Sequence, residues 1–306
     1  MSNDQKRMTF GIQPTGWTND DFQEIGNDTP YQKILDETKE AGFVGGSTGH
    51  NYPSHVPSLL AALNSRGLKI ASTWAGTAFT TGMAPEAALA DFKTGVAFLK
   101  TVGAKDVVVA ELYNAVNQVR TKSVLTDRPI LNEAQWFLLT DLLNQAGQYA
   151  KEQGMQLSYH PHVGTCVMTV KETERLFDHT NPDYVGFCLD TAHLAYGGAS
   201  QKQLVDLTEK YKHRITHVHL KNVRKKVLPV AVAEKYSFYQ AILSGIFTVP
   251  GDPDGELNLD PIMEILKGVG YSGWMVIEAE QLPTQATTPL MYARIARGYL
   301  RKTLGY

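Results

Sequence analysis

The sequence predicts an α/β protein with the architecture of a (β/α)8 TIM barrel, formed by a single domain over residues 1–306. Short β-branched apolar segments alternate with longer amphipathic segments along the whole chain, and no linker rich in Ser, Gly or Pro divides them. Eight strand and helix units in a chain of this length match a (β/α)8 barrel. A doubly wound sheet more often has roughly five to seven strands and a Gly-rich first turn, which this sequence lacks.

The elements follow in order from these segments. The predicted strands span residues 9–13, 44–48, 69–74, 106–111, 156–160, 184–190, 215–220 and 274–280. The predicted helices span residues 31–41, 56–66, 85–102, 133–153, 170–177, 200–211, 261–268 and 287–302. Glycine is the residue that best adopts the left-handed conformation after a helix. Several predicted helices end on one, followed within a few residues by a strand: Gly42, Gly67, Gly103, Gly154 and Gly270.

Two connections are longer than a barrel normally needs. Residues 113–132 follow the fourth strand, and residues 222–259 follow the seventh. Both lie on the side of the barrel where the strands end, which is the side that carries chemistry in this fold. We therefore expect them to form walls or a lid of an active site.

Composition limits the class of partner. Lys and Arg total 29 and Asp and Glu total 31, so a formal charge of −2 predicts no nucleic-acid partner and no anionic membrane partner. No apolar segment approaches the ~20 residues that span a bilayer, and residues 1–7 are polar. These features predict a cytoplasmic protein. Cys166 and Cys188 are predicted to be buried or spectator thiols, not a disulfide.

Polar residues cluster at the ends of four consecutive strands, where barrel side chains point into the mouth. Residues two apart on a strand share one face, and neighbouring strands are ~4.8 Å apart. One group is therefore expected to converge on a point: His160, Asp190, His219 and Glu278. Two imidazoles and two carboxylates suit Mn²⁺, Co²⁺, Fe²⁺ or Zn²⁺ better than Mg²⁺ or Ca²⁺. A network of core histidines bonded to carboxylates is the structural alternative.

Other residues near the same strand ends are candidates for catalysis or substrate contact. His162, His193 and Glu280 are candidate proton carriers, although His193 also suits a loop histidine that caps the next helix. The candidate substrate contacts are Trp17, Trp74, Glu111, His217, Lys221 and Arg224. The structural alternatives are plain packing for the tryptophans, a buried ion pair for Glu111, and solvated loop charges for Lys221 and Arg224. A covalent mechanism through Cys166 has weak support, because that residue lies in no evident His-activated motif.

Several stretches resemble the xylose isomerase-like barrels, and within that group they are most similar to the inosose dehydratases. These stretches are residues 11–21, 41–43, 159–165, 189–193, 217–221 and 273–281. In sugar epimerases of the group, a Glu, an Asp, a His and a Glu at strand ends hold the metal. The resemblance thus implies Asp190, His219 and Glu278 as ligands. His160 stands where many relatives have Glu, and His162 on the same face is an alternative ligand.

The resemblance implies a reaction as well as a site. The expected reaction is dehydration of scyllo-inosose, a keto-inositol, with Mn²⁺ or Co²⁺ as first expectation and Zn²⁺ or Fe²⁺ as alternatives. A cation chelated by the ketone and a neighbouring hydroxyl would stabilise the enediolate formed on proton removal. Glu278 or Glu280 and one of His160, His162 and His193 are expected to act as acid and base. Group membership also implies a homo-oligomer.

Three other functions stay open at this point. A ketose epimerase or sugar isomerase needs the same metal and enediolate, so spacing does not separate it from a dehydratase. A phosphodiesterase resembling endonuclease IV is disfavoured by the neutral charge. A binding protein without activity is the third alternative. Inosose dehydratases usually carry Glu and Lys where this chain has Ser47 and Asn51, which leaves the substrate open.

Overall fold

The barrel is built from short parallel strands. A computed structural model describes residues 8–284 and 287–305, so the polar segment 1–7 lies outside the described residues. The strands in chain order are β1 Thr9–Ile12, β2 Gly45–Gly46, β3 Lys69–Ile70, β4 Trp74–Thr77, β5 Asp106–Glu111, β6 Gln156–Tyr159, β7 Val185–Asp190, β8 Ile215–Leu220, β9 Asn222–Val223, β10 Phe247–Thr248 and β11 Trp274–Ile277. All of the predicted strand positions are occupied, and the fold class is confirmed.

The strands follow the circular order that a barrel requires. Seven pair in parallel in the order β1-β11-β8-β7-β6-β5-β4, and β2 pairs in parallel with β3. The Val44 N–H donates to the Phe10 carbonyl at 3.1 Å, which joins the β2 segment to β1. Strands β9 and β10 form a separate antiparallel pair within the long segment after β8. The sheet therefore surrounds a central axis, with β1 at the seam between the first and last units.

The third predicted strand differs from the prediction of one continuous element over residues 69–74. Strand β3 pairs with β2, whereas β4 begins at Trp74 and pairs with β5. Between them the chain bends, and two hydroxyl pairs hold this bend to the end of the second strand. Ser72 Oγ lies 2.9 Å from Ser47 Oγ, and Thr73 Oγ1 lies 3.0 Å from Thr48 Oγ1. Backbone hydrogen bonds accompany these contacts, from the Ala71 N–H to the Gly46 carbonyl at 2.9 Å and from the Val108 N–H to the Thr73 carbonyl at 3.3 Å.

Helices surround the strands. They are α1 Tyr31–Glu40, α2 Val56–Asn64, α3 Pro85–Thr101, α4 Glu133–Glu152, α5 Val170–Asp178, α6 Thr191–Tyr196, α7 Gln201–Tyr211, α8 Leu228–Ala233, α9 Phe238–Leu243, α10 Asp260–Gly268 and α11 Pro289–Leu304. Eight agree with the predicted helices to within a few residues, and α6, α8 and α9 are additional short ones. The five predicted helix-terminal glycines all have positive φ. Within residues 8–284 and 287–305, no helix combines the length and apolar content needed to cross a membrane.

Helix α6 corrects the prediction that His193 lies in a loop. Asp190 is its N-cap, and Oδ1 of that residue accepts hydrogen bonds from the Ala192 N–H at 2.9 Å and the His193 N–H at 2.8 Å. A carboxylate is a favoured N-cap because it satisfies N–H groups that have no partner within the helix. His193 therefore sits in the first turn of a helix, one turn beyond the end of β7.

Closure of the barrel between β1 and β3 depends on the absence of side chains at two glycines. A Cβ at Gly46 would lie 1.9 Å from the Ile12 carbonyl oxygen, and a Cβ at Gly45 would lie 2.0 Å from the Lys69 carbonyl oxygen. Backbone atoms cannot move aside as a flexible side chain can. Strand β2 can therefore lie between its neighbours only because both residues are glycine.

We expect Gly46→Ala to lower the free energy of unfolding by about 2–4 kcal/mol, because the added methyl group forces the β1 backbone away. Gly95→Ala is the matched control, since it lies in α3 with no atom within 4 Å of the new Cβ. That change should be neutral or stabilising by roughly 0.5–1 kcal/mol. Thermal unfolding of both variants measures the difference, and equal melting temperatures would contradict the role assigned to Gly46.

Candidate metal and active site

A pocket of about 700 Å³, including its open mouth, lies at the carboxyl ends of the barrel strands. It is lined by Gln13, Pro14, Thr15, Asn19, Asp20, Asp21, Ser47, Thr48, Ser72, Trp74, Val108, His162, His219, Glu278 and Glu280. These residues come from the segments after β1 and β2, from the connection between β3 and β4, from β4 and β5, and from the ends of β6, β8 and β11. Most of the lining side chains carry hydrogen-bonding groups.

The two long connections do not line this pocket, contrary to the prediction that they form its walls. Both connections instead contact residues of the pocket wall and of the site below it. From the first connection, Asn117 and Gln118 donate to Asp21 Oδ1 at 3.3 and 2.8 Å. From the second, the Phe238 ring packs against His162 and the Phe247 ring against His193, with ring centroids 5.4 and 5.0 Å apart. The long segments thus hold the wall residues in place without contacting the cavity.

Four potential metal ligands converge below the pocket, and they are the four that the strand ends predict. One donor atom from each of His160, Asp190, His219 and Glu278 lies within 4.8 Å of the donors of the other three. All four side chains are buried. Strand register explains the convergence, because Asp190 on β7 is the direct partner of His219 on β8. His160 and Glu278 follow the last residues of β6 and β11.

The contacts within this group fit a bound cation. His219 Nδ1 lies 2.5 Å from Glu278 Oε2, yet neither atom has a hydrogen-bond partner of acceptable geometry. Asp190 Oδ2 lies 3.3 Å from His160 Nε2 and 3.9 Å from His219 Nδ1. Buried polar atoms normally have partners, and the unpartnered His219 Nδ1 and Glu278 Oε2 are atoms that a cation could bind. Two imidazoles and two carboxylates suit a divalent transition metal.

The carboxylates of this group are held in the charged state. Burial alone would raise the pKa of Glu278, but His219 and Lys221 keep it well below its usual range. Burial likewise opposes the charge on Asp190, and Lys221 and His193 lower the pKa of that carboxyl. Burial lowers the pKa of His160, which favours the neutral imidazole. Charged carboxylates and neutral imidazoles are the forms that ligate metals.

A second group, comprising His162, His193 and Glu280, lies beside the first. The two imidazole rings are 3.8 Å apart between centroids, and His193 Nε2 lies 3.7 Å from Glu280 Oε1. His162 Nδ1 lies 2.7 Å from the Val163 carbonyl oxygen and must donate to it, which leaves a lone pair on Nε2. The Val163 N–H approaches His193 Nδ1 at 3.5 Å, so His193 carries its proton on Nε2.

Burial shifts the pKa values of His162 and His193 downward and that of Glu280 upward. Burial lowers the pKa of His162 to about 3, so this imidazole is neutral. Burial also lowers the pKa of His193 well below its usual range. In contrast, burial raises the pKa of Glu280 to about 7, with Glu278 adding to the effect and Lys221 opposing it. Glu280 is therefore the group in this cluster whose protonation state changes near neutrality.

The predicted substrate contacts are placed in different environments. The Trp74 ring forms part of the pocket wall and meets His160 and His162 edge-on, at centroid distances of 5.4 and 5.6 Å. Lys221 is completely buried, and its Nζ contacts Asp190, Glu278 and Glu280 instead of the cavity. A solvated loop charge was the structural alternative for Lys221, and the complete burial of this side chain excludes it.

The remaining four lie away from the pocket wall. Trp17 is buried and donates from Nε1 to Glu37 on α1 at 2.5 Å. His217 lies deeper in the barrel, with Nδ1 3.3 Å from Asp106 Oδ2. Arg224 binds the carbonyl oxygens of Gly245 and Phe247 at 2.7 and 2.6 Å. Their hydrogen bonds connect parts of the scaffold.

Glu111 also forms its hydrogen bonds within the scaffold and not with the cavity. Its carboxylate is fully buried and accepts hydrogen bonds from Thr77 Oγ1, the Phe79 N–H, the Thr80 N–H and Thr80 Oγ1 at 2.7–3.0 Å. These donors belong to the end of β4 and the turn that follows it. Glu111 thereby fixes the chain after the bent third strand.

Sequence reasoning missed several wall residues. Asp20 and Asp21 line the pocket but were not assigned a role, although they lie within the segment 11–21 that carries the resemblance. Ser47 also lines it, with its N–H bound to Gln13 Oε1 at 3.0 Å. Asn51 lies outside the lining, and its Nδ2 donates to the Thr29 carbonyl at 2.8 Å. The available sequence signal was the pair of acidic residues in the segment that follows the first strand.

Comparison with known proteins identifies the family. Residues 35–302 match the xylose isomerase-like TIM barrels. An inosose dehydratase of Geobacillus thermodenitrificans (strain NG80-2) is 41% identical over 301 residues, which cover 98% of this chain and 99% of that protein. The chain belongs to the inosose dehydratase family. A member from Erwinia tasmaniensis is 39% identical over 302 residues, covering 99% of both chains.

Solved structures support the fold of this inosose dehydratase family member. The crystal structure of the IOLI protein with a bound zinc atom superposes with a TM-score of 0.69 at 16% identity and covers 97% of this chain and 98% of that one. At this level of identity the similarity concerns the barrel architecture alone.

We expect Glu111→Ala to destabilise the protein by about 3 kcal/mol, because four buried donors lose their acceptor. Glu133→Ala is the control, since its carboxylate is exposed and paired with Arg175 at the surface, where an ion pair contributes at most about 1 kcal/mol. Thermal unfolding measures both. At a temperature where Glu111→Ala is folded, its KM should match that of the parent; a raised KM would support the substrate contact predicted from sequence.

Proposed function

We propose that this chain is a cytoplasmic hydro-lyase that removes water from scyllo-inosose in inositol catabolism. The observation that carries the proposal is the convergence of two imidazoles and two carboxylates beside a pocket rich in hydroxyl-binding side chains. Full-length identity of 41% with an inosose dehydratase supports the same reaction.

The lining of the pocket favours an uncharged, hydroxyl-rich substrate. Among the described residues, no lysine or arginine lines it, whereas four carboxylates do: Asp20, Asp21, Glu278 and Glu280. A phosphorylated or carboxylated substrate would meet like charge at close range. Carboxylate, amide and hydroxyl oxygens accept hydrogen bonds from substrate hydroxyl groups. A keto-inositol satisfies both requirements.

Mn²⁺ or Co²⁺ is the proposed cofactor, with Zn²⁺ and Fe²⁺ as alternatives, and His160, Asp190, His219 and Glu278 would hold it. When bound there, the ion would polarise the ketone and stabilise the negative charge that develops on its oxygen. Asp190 Oδ1 is bound by the N-terminus of α6, so Oδ2, which lies 3.3 Å from His160 Nε2 and 3.4 Å from Lys221 Nζ, is the oxygen that faces the other donors. The scaffold thus orients the donors before a cation arrives.

Glu280 is the proposed proton carrier. It lines the pocket and lies outside the four-donor group, so its Oε1 is available to substrate. The reaction breaks a C–H bond next to the ketone and a C–O bond at the following carbon. Glu280 would take the proton from the first carbon and deliver it to the departing hydroxyl group, which leaves as water. The neutral His162 would accept a hydrogen bond from a substrate hydroxyl through Nε2.

Asp190→Asn tests the metal site with little change in shape, because the amide oxygen can still cap α6. We expect the variant to fold, to lose stoichiometric Mn²⁺ binding and to lose activity by at least about 10³-fold. Metal-free protein reloaded with Mn²⁺, Co²⁺ or Zn²⁺ is mixed with scyllo-inosose. Ultraviolet absorbance and the mass loss of one water report the product.

The same assay distinguishes the rival functions. Deuterium uptake from solvent beside the ketone, without water loss, would indicate a ketose epimerase or sugar isomerase. An absence of both exchange and water loss with every metal would favour a binding protein. Asp206→Asn, an exposed change on α7, is the control for nonspecific effects and should keep parental activity.

Glu280→Gln should slow dehydration by about 10²–10⁴-fold, because the amide cannot carry the proton. It should still bind one Mn²⁺ per chain at saturation, since Glu280 is not one of the four donors. Steady-state rates and metal analysis measure the two properties. Loss of the bound metal together with activity would contradict the separate roles of Glu278 and Glu280.

A further inference from the structure

Lys221 is the one lysine among the charged groups below the pocket in the described chain. It follows β8, and its side chain is completely buried. Nζ lies 2.8 Å from Glu280 Oε2, 3.1 Å from Glu278 Oε1 and 3.4 Å from Asp190 Oδ2. A lysine is almost never fully buried without charged partners, because removing an ammonium group from water is costly. Here it has three.

The position of the ammonium group is fixed by packing as well as by charge. Nζ lies 4.6 Å from the centroid of the Phe247 ring, which can stabilise a cation through its π face. The Lys221 backbone is bound to Thr191, the first residue of α6. The side chain does not line the pocket. A direct contact between Lys221 and substrate therefore does not explain its burial.

Charge balance supplies a reason for the lysine. When Glu280 is deprotonated, three carboxylate charges share this buried region, and Lys221 offsets one of them. The two remaining negative charges match one divalent cation. Without a metal, carboxylates this close and this deeply buried would repel one another and destabilise the fold.

The lysine also selects the oxygens that face the other groups. It binds Glu278 through Oε1, so Oε2 faces His219 Nδ1 at 2.5 Å. It binds Glu280 through Oε2, so Oε1 faces His193 Nε2 at 3.7 Å. One ammonium group thus contacts both carboxylates, and the second oxygen of Glu278 faces His219 while that of Glu280 faces His193.

We propose that Lys221 is an internal counter-ion, which stabilises the metal-free site by offsetting the charge of the carboxylates around it. This inference rests on the proposed metal site but not on the proposed reaction. It is tested by stability and by metal binding, neither of which requires a substrate. Failure of the dehydratase assay would therefore leave it standing.

Lys221→Met keeps an apolar chain of similar length and removes the charge. The metal-free variant should melt about 5 °C or more below the parent, because three carboxylates lose their counter-ion. Added Mn²⁺ should remove most of that difference. Isothermal titration should show Mn²⁺ binding at least about tenfold tighter, because a positive charge has been removed close to the site. Lys225→Met, an exposed change on the same segment, should alter neither quantity.

A second variant keeps the test valid if Lys221→Met does not fold. Lys221→Met combined with Glu280→Gln restores the net charge of the parent site. We expect the metal-free double variant to melt at a higher temperature than Lys221→Met alone, and its Mn²⁺ affinity to return to within about threefold of the parent. This compensation is a coupling between neighbouring charges that a double-mutant cycle detects.

Two results would overturn the proposal. The first is weaker Mn²⁺ binding in Lys221→Met together with an equal loss of melting temperature with and without metal, which is the behaviour of a residue that only fills space. The second is a double variant less stable than both single variants, because additive losses indicate no charge coupling. Isotherms and melting curves for the four proteins distinguish these results from the expected ones.

Discussion

The burial of three carboxylates within one barrel mouth is the constraint on which the site depends. Each charge needs a partner, and the fold supplies different ones. Asp190 is bound by backbone N–H groups of α6, and Glu278 and Glu280 are both bound by Lys221. These partners satisfy one side of each carboxylate. The opposite sides of Asp190 and Glu278 face the histidines, and that unsatisfied side is what makes the region suited to a cation.

Barrel geometry concentrates these groups because parallel strands present their carboxyl ends at one face. Register then decides which side chains meet, as it does for Asp190 and His219. The tight backbone at Gly45 and Gly46 closes the other half of the ring, and the bend before β4 places Ser72 and Trp74 at the wall. The candidate metal donors therefore sit at the ends of β6, β7, β8 and β11, and most of the pocket wall comes from the segments that follow β1, β2 and β3.

Spacing along the chain was sufficient to predict the barrel and the four-donor group, because strand periodicity fixes which residues share a face. Spacing could not predict the contacts of a side chain for which two different partners were available. Lys221 could equally have faced solvent, and Glu111 could have faced the cavity, because only the packed structure decides between a turn hydroxyl and a substrate as partner. Trp17 turned away from the mouth because Glu37 on α1 accepts its indole N–H. The split third strand depends on hydroxyl pairs that apolar patterns do not reveal.

The dual engagement of Asp190 limits how the site can evolve. One oxygen caps a helix and the other faces the metal donors, so a replacement must be short, must accept hydrogen bonds and must carry a negative charge. Glutamate is too long for the cap, and histidine lacks the second oxygen. Position 160 has no such second duty, since its Nδ1 has no partner within the described residues. A substitution at position 160 would therefore disturb the scaffold around the four donors less than one at Asp190, which also caps a helix.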